Sequence, residues 1–494
     1  MEKKNLYTTH LLILLVLINL SPSLNVPAIF IFGDSVFDAG NNHFIKNCSV
    51  QADFPPYGST FFHHPTGRFT DGRTVADFIS QFIGIGLQQP YLEAQIAVMN
   101  GSSKEYPSNG LNFASAGSGV LQGTNKDWEV HPCSESESTR MGAFQPNLLV
   151  SSHPCNLCYP IVSIVGRMPS QGKFLVQEMF PKLITIFKGW SGSPSSTRFR
   201  PTKQLPSQLK LYLPMHPSHI VVYPYLQPAF HGNLLNYPHC TSKITFQEGT
   251  ITIQFSPILL GMLPIQEQLR QFKTLIEEKA INRSVVERSL FFLESGSNDI
   301  FNYFLPLDTP KLDPDAYVEA MIKEVTNLTD QIYKVGARRI VVFSLGPVGC
   351  VPARALLPAA PIKRCYGKMN AMVKKYNKRL ESLVNDIPTR HPGAIGVYGA
   401  VYDTVQHLRA APTRYGFSNV SSACCGDGPL GGQVQCGKEG YKICQNPQGF
   451  LFWDYFHPTQ HTYELISEAL WEGKKSRIRP INLKTLTNLT LALV

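Results

Sequence analysis

The sequence predicts an α/β fold: a three-layer, doubly wound parallel sheet of about five strands with helices on both faces. Five short apolar segments, most of them rich in β-branched or aromatic residues, have the length of buried parallel strands: residues 28–32, 111–115, 290–294, 339–345 and 394–398. Apolar residues recur at helical spacing between the later segments, over residues 264–279 and 316–335 for example. Alternating strands and helices are typical of this architecture.

The N-terminus, residues 1–23, predicts a secretory signal peptide. Two lysines at positions 3 and 4 precede an apolar run over residues 11–20, and the small residues Ser21 and Ser23 suit a cleavage site. The alternative is a membrane anchor, but the run is shorter than the roughly 20 residues that a spanning helix needs. We therefore expect a secreted chain without an integral membrane segment in its mature form.

The first predicted strand ends at a candidate nucleophile. Ser35 lies in the segment FGDSVFDAGNN, and near the other end of the chain the segment WDYFHP holds Asp454 and His457. A serine needs a base to take its proton, and the histidine needs a carboxylate that fixes its tautomer. Asp403 is the rival acid, and a helix N-cap is the structural alternative for the serine. Pro458 is expected to begin the final helix.

The next two predicted strands end at candidate oxyanion donors. Gly117 lies in NFASAGSG and Asn298 in ESGSNDIFNY. Both have structural alternatives, a positive φ for the glycine and a turn for the asparagine. The glycine spacing G-x-G-x-x-x-G is wrong for a dinucleotide loop. Because ligands bind beyond the carboxyl ends of parallel strands, we expect both residues to lie near Ser35.

These four blocks, in this order, resemble the plant GDSL esterase and lipase family of SGNH hydrolases. The resemblance includes PPYG, TGRFTDGRTVADFI, GPVGCVP and ACCG, and covers the chain except for one interior stretch. It implies a flavodoxin-like SGNH fold in which Ser35 is the nucleophile, His457 the general base and acid, and Asp454 its orienting partner. The oxyanion hole would consist of the Ser35 backbone N–H with Gly117 and Asn298.

The expected function is that of a secreted serine hydrolase, extracellular in the cell wall or apoplast, that cleaves a small-molecule or lipid ester through an acyl-enzyme. No cofactor or metal is needed, and the rate should rise with pH as His457 loses its proton. One alternative is an acyltransferase that uses the same triad. The other is a non-catalytic or misfolded product, because of the interior stretch described next.

Residues 128–262 do not fit the otherwise single domain of residues 24–494. The segment holds 15 of the 37 prolines, no aspartate, and 10 Lys and Arg against 5 Glu, which is half of the net charge of +10. This basicity is therefore not a nucleic-acid footprint. A long insertion inside a compact domain is unusual, and it favours unstructured or retained-intron sequence over a binding loop or lid. Its cluster of His153, Cys155 and Cys158 is too small to assign a metal.

Secretion affects how cysteines and sequons are interpreted, because an oxidising compartment favours disulfides and glycosylation. Six of the 11 cysteines lie in the C-terminal half, at positions 350, 365, 424, 425, 436 and 444. They allow 15 pairings, of which we predict only Cys350 with Cys365, by proximity; their spacing does not suit zinc. The glycosylation candidates are Asn47, Asn100, Asn282, Asn327, Asn419 and Asn488.

Overall fold

The computed structural model describes residues 26–45, 48–125, 162–165, 220–221, 241–247, 250–256, 262–306 and 311–490. The predicted signal peptide lies outside these residues. Contacts divide the chain into two compact units, one of residues 1–137 and 259–494 and the other of residues 138–258.

A seven-stranded sheet forms the centre of the first unit. Its strands in chain order are β1 (Ile29–Gly33), β2 (Gln89–Pro90), β3 (Gly110–Asn112), β4 (Leu290–Glu294), β5 (Arg339–Phe343), β6 (Ile395–Gly399) and β7 (Ile478–Arg479). Across the sheet they follow the order β7-β6-β5-β4-β1-β3-β2, and every neighbouring pair is parallel except β6 with β7. The predicted parallel sheet is confirmed, with two more strands than the five expected.

Helices cover both faces of this sheet. One face packs against α2 (Tyr91–Met99), α3 (Ile265–Glu277), α4 (Arg283–Arg288), α5 (Ser297–Tyr303), α6 (Pro314–Lys334) and α7 (Gly367–Arg390). The other packs against α1 (Val75–Ile83), α8 (Val401–Ala410), α9 (Gln460–Trp471) and α10 (Leu483–Asn488). Alternate residues of β1 enter opposite cores, Phe30 and Phe32 on one side and Ile29 and Ile31 on the other. This explains why the strand is apolar at every position.

Helices α3 and α6 agree to within two residues at each end with the predicted helical segments 264–279 and 316–335. The prediction that Pro458 begins the final helix was wrong. Helix α9 begins at Gln460, two residues later, and α10 follows it. The reason is a cap: the Thr459 side chain accepts a hydrogen bond from the N–H of Thr462 in the first turn. Among the described residues no helix combines the length and apolar character needed to cross a membrane.

The second unit contains a separate antiparallel sheet. Its four strands are Val162–Val165, Ile220–Val221, Thr241–Gln247 and Thr250–Ser256. The sequence analysis expected little regular structure here, although the two longest strands carry alternating β-branched residues, as in ITF and TITI. That residues 128–262 are unstructured or retained-intron sequence remains a prediction. Met262, at its predicted end, is buried in the first unit.

Candidate active site

Ser35 lies on the turn that follows β1 at the carboxyl edge of the sheet. Two backbone hydrogen bonds of 3.0 and 3.1 Å onto the Asp34 carbonyl close this turn. A side chain at Gly33 would meet the carbonyl oxygen of Glu294 at 2.4 Å, so glycine is what allows the ends of β1 and β4 to stay paired. No described helix begins at Ser35, and the structure gives no support to the N-cap alternative.

The three predicted catalytic side chains form one hydrogen-bonded chain. Ser35 Oγ lies 2.7 Å from His457 Nε2. His457 Nδ1 lies 2.8 Å from both carboxylate oxygens of Asp454. Because Nδ1 faces a carboxylate, it carries the proton and leaves Nε2 as the acceptor for the serine hydroxyl. Asp403, the rival acid, lies exposed on α8 instead.

Asp454 is fully buried, and both of its carboxylate oxygens are satisfied. Oδ1 accepts hydrogen bonds from the N–H groups of Phe456 and His457 at 2.8 and 2.7 Å. Oδ2 accepts one from the Tyr57 hydroxyl at 2.8 Å. Burial and the Asp454 charge both raise the pKa of Tyr57 well above its ordinary value, which keeps the hydroxyl protonated as a donor. These bonds fix the carboxylate behind the imidazole.

The candidate oxyanion donors lie beside Ser35. Gly117 has a φ of +81°, and Asn298 is half-buried at the start of α5. Asn298 Nδ2 donates to the Ser118 carbonyl at 2.8 Å and makes a longer contact of 3.4 Å with Asp34 Oδ2. No hydrogen bond from the N–H of Ser35 or Gly117 to another protein group is recorded among the described residues. Two backbone N–H groups are thus available for a ligand oxygen.

Asp299, the next residue on α5, holds the loop of residues 117–124, the glycine loop, against the helix. Its carboxylate accepts hydrogen bonds from the N–H groups of Val120 and Leu121 at 3.0 and 2.9 Å, and from Thr124 Oγ1 at 2.6 Å. Burial raises the pKa of this carboxyl. The contact holds Gly117 and Asn298 at the same edge of the sheet although 181 residues separate them in the sequence.

A cavity of about 360 Å³ opens onto these groups. Ser35, Gly117, Asn298 and His457 contribute to one part of its wall. The remaining wall is mainly apolar, and includes Val348, Val351, Val405, Phe452 and Ile466. Its size is within the range of small-molecule sites.

Comparison with known proteins identifies the family of this chain. The sequence profile of the family described as GDSL-like lipase/acylhydrolase matches residues 29–187 and 229–470. The chain belongs to this family. Among similar GDSL proteins, GDSL esterase/lipase 6 of Arabidopsis thaliana is 47% identical over 464 residues, covering 94% of this chain and 91% of the relative. GDSL esterase/lipase 4 of the same plant is 25% identical over 473 residues, covering 94% and 91%.

The family assignment makes the chain a carboxylic ester hydrolase, so its substrate is an ester. The described residues contain no group of three or more His, Cys, Asp or Glu side chains that could hold a metal ion. The cluster at positions 153, 155 and 158 lies outside them. The sequence profile excludes only residues 188–228 from the middle of the chain, a shorter stretch than the predicted insertion.

Three disulfides lie in the described part of this GDSL chain. Cys350 pairs with Cys365, as predicted, and the other two are Cys424 with Cys444 and Cys425 with Cys436. Cys48 is buried, and its thiol contacts the Val50 carbonyl at 3.5 Å. Of the sequons, Asn100, Asn282, Asn327 and Asn488 are exposed, Asn419 is half-buried, and Asn47 lies outside the described residues.

A second pair of acids lies beside Ser35 in this GDSL site. Asp34 and Glu294 are buried, and their side chains interact with each other. Burial raises the pKa of Asp34 to about 6, and burial together with the Asp34 charge raises the pKa of Glu294 well above its ordinary value. The sequence analysis assigned no role to Tyr57 or to Glu294, although both lie in motifs that it singled out, PPYG and ESGSND.

Proposed function

We propose that this chain is a secreted serine esterase that cleaves its substrate through an acyl-enzyme formed on Ser35. One observation carries the proposal: Ser35 Oγ lies 2.7 Å from His457 Nε2, whose other ring nitrogen faces the buried Asp454. This arrangement supplies a nucleophile, its base and the group that orients the base.

In the acylation step, His457 Nε2 takes the proton of Ser35 as Oγ attacks the ester carbonyl. Asp454 stabilises the imidazolium that forms and keeps its proton on Nδ1. The negative oxygen of the tetrahedral intermediate would accept hydrogen bonds from the N–H groups of Ser35 and Gly117 and from Asn298 Nδ2. Each such donor, aimed at the developing charge, accelerates acyl transfer by about 100- to 1,000-fold.

Collapse of the intermediate expels the alcohol, which takes its proton from His457. The same histidine then deprotonates a water molecule, which attacks the acyl-enzyme and releases the acid. Both steps need a neutral imidazole at their start. The apolar wall of the cavity supports an ester with an apolar group beside the scissile bond.

Secretion is part of this proposal. Three disulfides in the described chain are typical of proteins that fold in an oxidising compartment. The basic and apolar pattern of residues 1–23 suits export. We infer the cell wall or apoplast as the site of action.

The test is hydrolysis of a short-chain chromogenic ester by protein secreted from a eukaryotic host. We expect Ser35→Ala to lower kcat at least about 1,000-fold, because no other group can form the acyl-enzyme. Asp403→Asn is the matched control, since it changes the rival acid on α8 and should leave kcat within about twofold. Turnover by Ser35→Ala at the wild-type rate would exclude the proposal. Product analysis with an added alcohol separates hydrolysis from acyl transfer.

A further inference from the structure

Glu294 lies in the candidate site but has no role in the hydrolytic steps proposed above. It is the last residue of β4 and pairs in register with Gly33 of β1, the residue before Asp34, and the side chains of Glu294 and Asp34 interact. It is only 6% exposed, and it lines the same cavity as Ser35 and Asn298. Its Oε2 accepts no hydrogen bond from the described residues. A buried carboxyl group with an unsatisfied oxygen, next to a second carboxyl group, requires a physical explanation.

The explanation is a shared proton. Two adjacent buried carboxyl groups cannot both ionise, because each negative charge opposes the other and neither is well solvated. The Asp34 and Glu294 side chains interact, and burial raises the pKa of both carboxyl groups. Because a carboxylate only accepts hydrogen bonds, a proton on one of the two groups is what allows them to remain adjacent. The pair therefore carries one negative charge beside Ser35 and not two.

The pair contacts the candidate oxyanion hole through Asp34. Asp34 Oδ1 accepts a hydrogen bond from the Val36 N–H at 3.0 Å, on the turn that carries Ser35. Asp34 Oδ2 lies 3.4 Å from Asn298 Nδ2, a contact too long to be a strong hydrogen bond. When Glu294 donates its proton to Asp34, the Asp34 carboxylate attracts the Asn298 amide less strongly. A doubly ionised pair would instead attract the Asn298 N–H away from a substrate oxygen.

We propose that Glu294 is a positioning residue, which shares a proton with Asp34 and so keeps the Asn298 amide available to the oxyanion. The inference rests on the proposed hydrolase function and adds a residue to it. Other polar or titratable groups around the pair come from every neighbouring element: Ser297 and Asp299 of α5, Tyr376 of α7, Tyr463 of α9 and His457 of the triad. The carboxylate of Asp299 also disfavours a second negative charge on the pair.

The experiment measures kcat and KM against pH for the wild type, Glu294→Gln and Glu294→Leu. The wild type should lose kcat at alkaline pH, where the pair gives up its proton. A glutamine amide donates to Asp34 at every pH, so Glu294→Gln should lack this alkaline fall. Leucine donates nothing, so we expect kcat to fall about tenfold across the whole range with a smaller change in KM. Glu277→Gln, an exposed acid at the end of α3, is the control and should keep the wild-type profile.

A second measurement does not depend on activity. The folded chain keeps a proton on Glu294 that the unfolded chain releases above the ordinary glutamate pKa of about 4.3. The free energy of unfolding should therefore fall as pH rises from that value towards the raised pKa of Glu294. In Glu294→Gln this slope should be smaller by one proton, as measured by denaturant unfolding across the pH range.

The outcomes are distinct. An unchanged slope in Glu294→Gln overturns the shared proton. Suppose that Glu294→Gln changes the pH dependence of the free energy of unfolding but keeps the alkaline fall in kcat. The proton then exists without affecting the Asn298 amide, and the role in positioning is overturned. A wild-type chain without Ser35-dependent hydrolysis overturns the proposed function and the catalytic part of this inference together, and the slope still reports the proton by itself.

Discussion

Tyr57 is the residue that holds the acid of the proposed triad from behind. Its ring packs against Trp453 at 6.3 Å and its hydroxyl donates to Asp454 Oδ2 at 2.8 Å. Asp454 is fully buried, so bulk solvent does not reach its Oδ2, and this oxygen loses a donor if the hydroxyl is removed. Tyr57 therefore affects both stability and the orientation of His457.

We expect Tyr57→Phe to lower kcat about 10-fold and the free energy of unfolding by about 1 to 3 kcal/mol. The cause is a buried carboxylate oxygen that loses a donor and can rotate relative to the imidazole. Ester hydrolysis and denaturant unfolding measure the two effects. Tyr441→Phe, at an exposed position, is the control and should change neither. Unaltered kinetics in Tyr57→Phe would show that the backbone N–H donors suffice to fix Asp454.

The three residues of the proposed triad were predicted from the sequence and lie together in the structure, but the residues that support them were not predicted. Asp454 and His457 are recognisable because three positions separate an acid and a base on one short segment. Tyr57 lies 397 residues from Asp454 in the sequence, and nothing local to PPYG indicates which carboxylate it reaches. The proximity of Glu294 to Asp34 could not be predicted either, because it depends on the register between β1 and β4.

At the scale of elements, the glycine loop after β3 determines where the oxyanion donors lie. The positive φ of Gly117 and its close contact with Met262 both exclude a side chain: a Cβ atom at Gly117 would lie 2.1 Å from Met262 Sδ. Asp299 fixes the far end of the same loop to α5. The loop can therefore shift only by breaking contacts at both ends.

We expect Gly117→Ala to lower kcat at least 10-fold, because the added methyl group displaces the Gly117 N–H from the developing oxyanion. An alanine at positive φ also costs about 1 to 2 kcal/mol of stability. Gly123→Ala, later in the same loop, has no atom within 4 Å of the added Cβ and should behave like the wild type. Equal kcat values for the two variants would remove Gly117 from the oxyanion hole.

Element boundaries were predictable where apolar periodicity defined them. The five central strands agree with their predicted segments to within a few residues. The edge strands β2 and β7 have two residues each. A strand of this length is too short to show an alternation of apolar and polar residues in the sequence. β3 ends at Asn112, although the N–H groups of Phe113 and Ser115 still donate to the carbonyl groups of Ile31 and Gly33 in β1. On the other edge of β3, the Asn41 side chain donates to the carbonyl groups of Asn112 and Ala114 in place of a neighbouring strand. Such side-chain competition with the backbone is not visible from composition.

At the scale of the whole molecule, the main question is how much of the segment 128–262 the first unit needs. Contacts assign residues 138–258 to a unit of their own, whereas Met262 and Leu263 are buried in the first unit. The predicted insertion, residues 128–262, therefore includes a residue, Met262, that packs in the first unit. Looping out a long segment costs little entropy, about 0.6 kcal/mol per doubling of its length.

We expect replacement of residues 128–258 by a short Gly/Ser linker to preserve ester hydrolysis and the unfolding midpoint. Replacement of residues 128–262 should cost about 2 to 5 kcal/mol, because it removes the Met262 side chain from its packing against Gly117. Thermal unfolding and kcat of the two variants, compared with the full chain, measure the difference. Indistinguishable midpoints would mean that Met262 does not stabilise the first unit. Hydrolysis only after the shorter replacement would mean that the full chain is an inactive form.

The position of the proposed nucleophile and base in the chain also affects when the enzyme can act. Ser35 and His457 are 422 residues apart, so the serine is made early and its base arrives close to the end of translation. At about 5 to 20 residues per second, the interval is roughly 20 to 80 seconds. Throughout that time the nascent chain carries an ordinary, unreactive serine. Esters at the site of synthesis can therefore be cleaved by the proposed triad only after the last helices emerge.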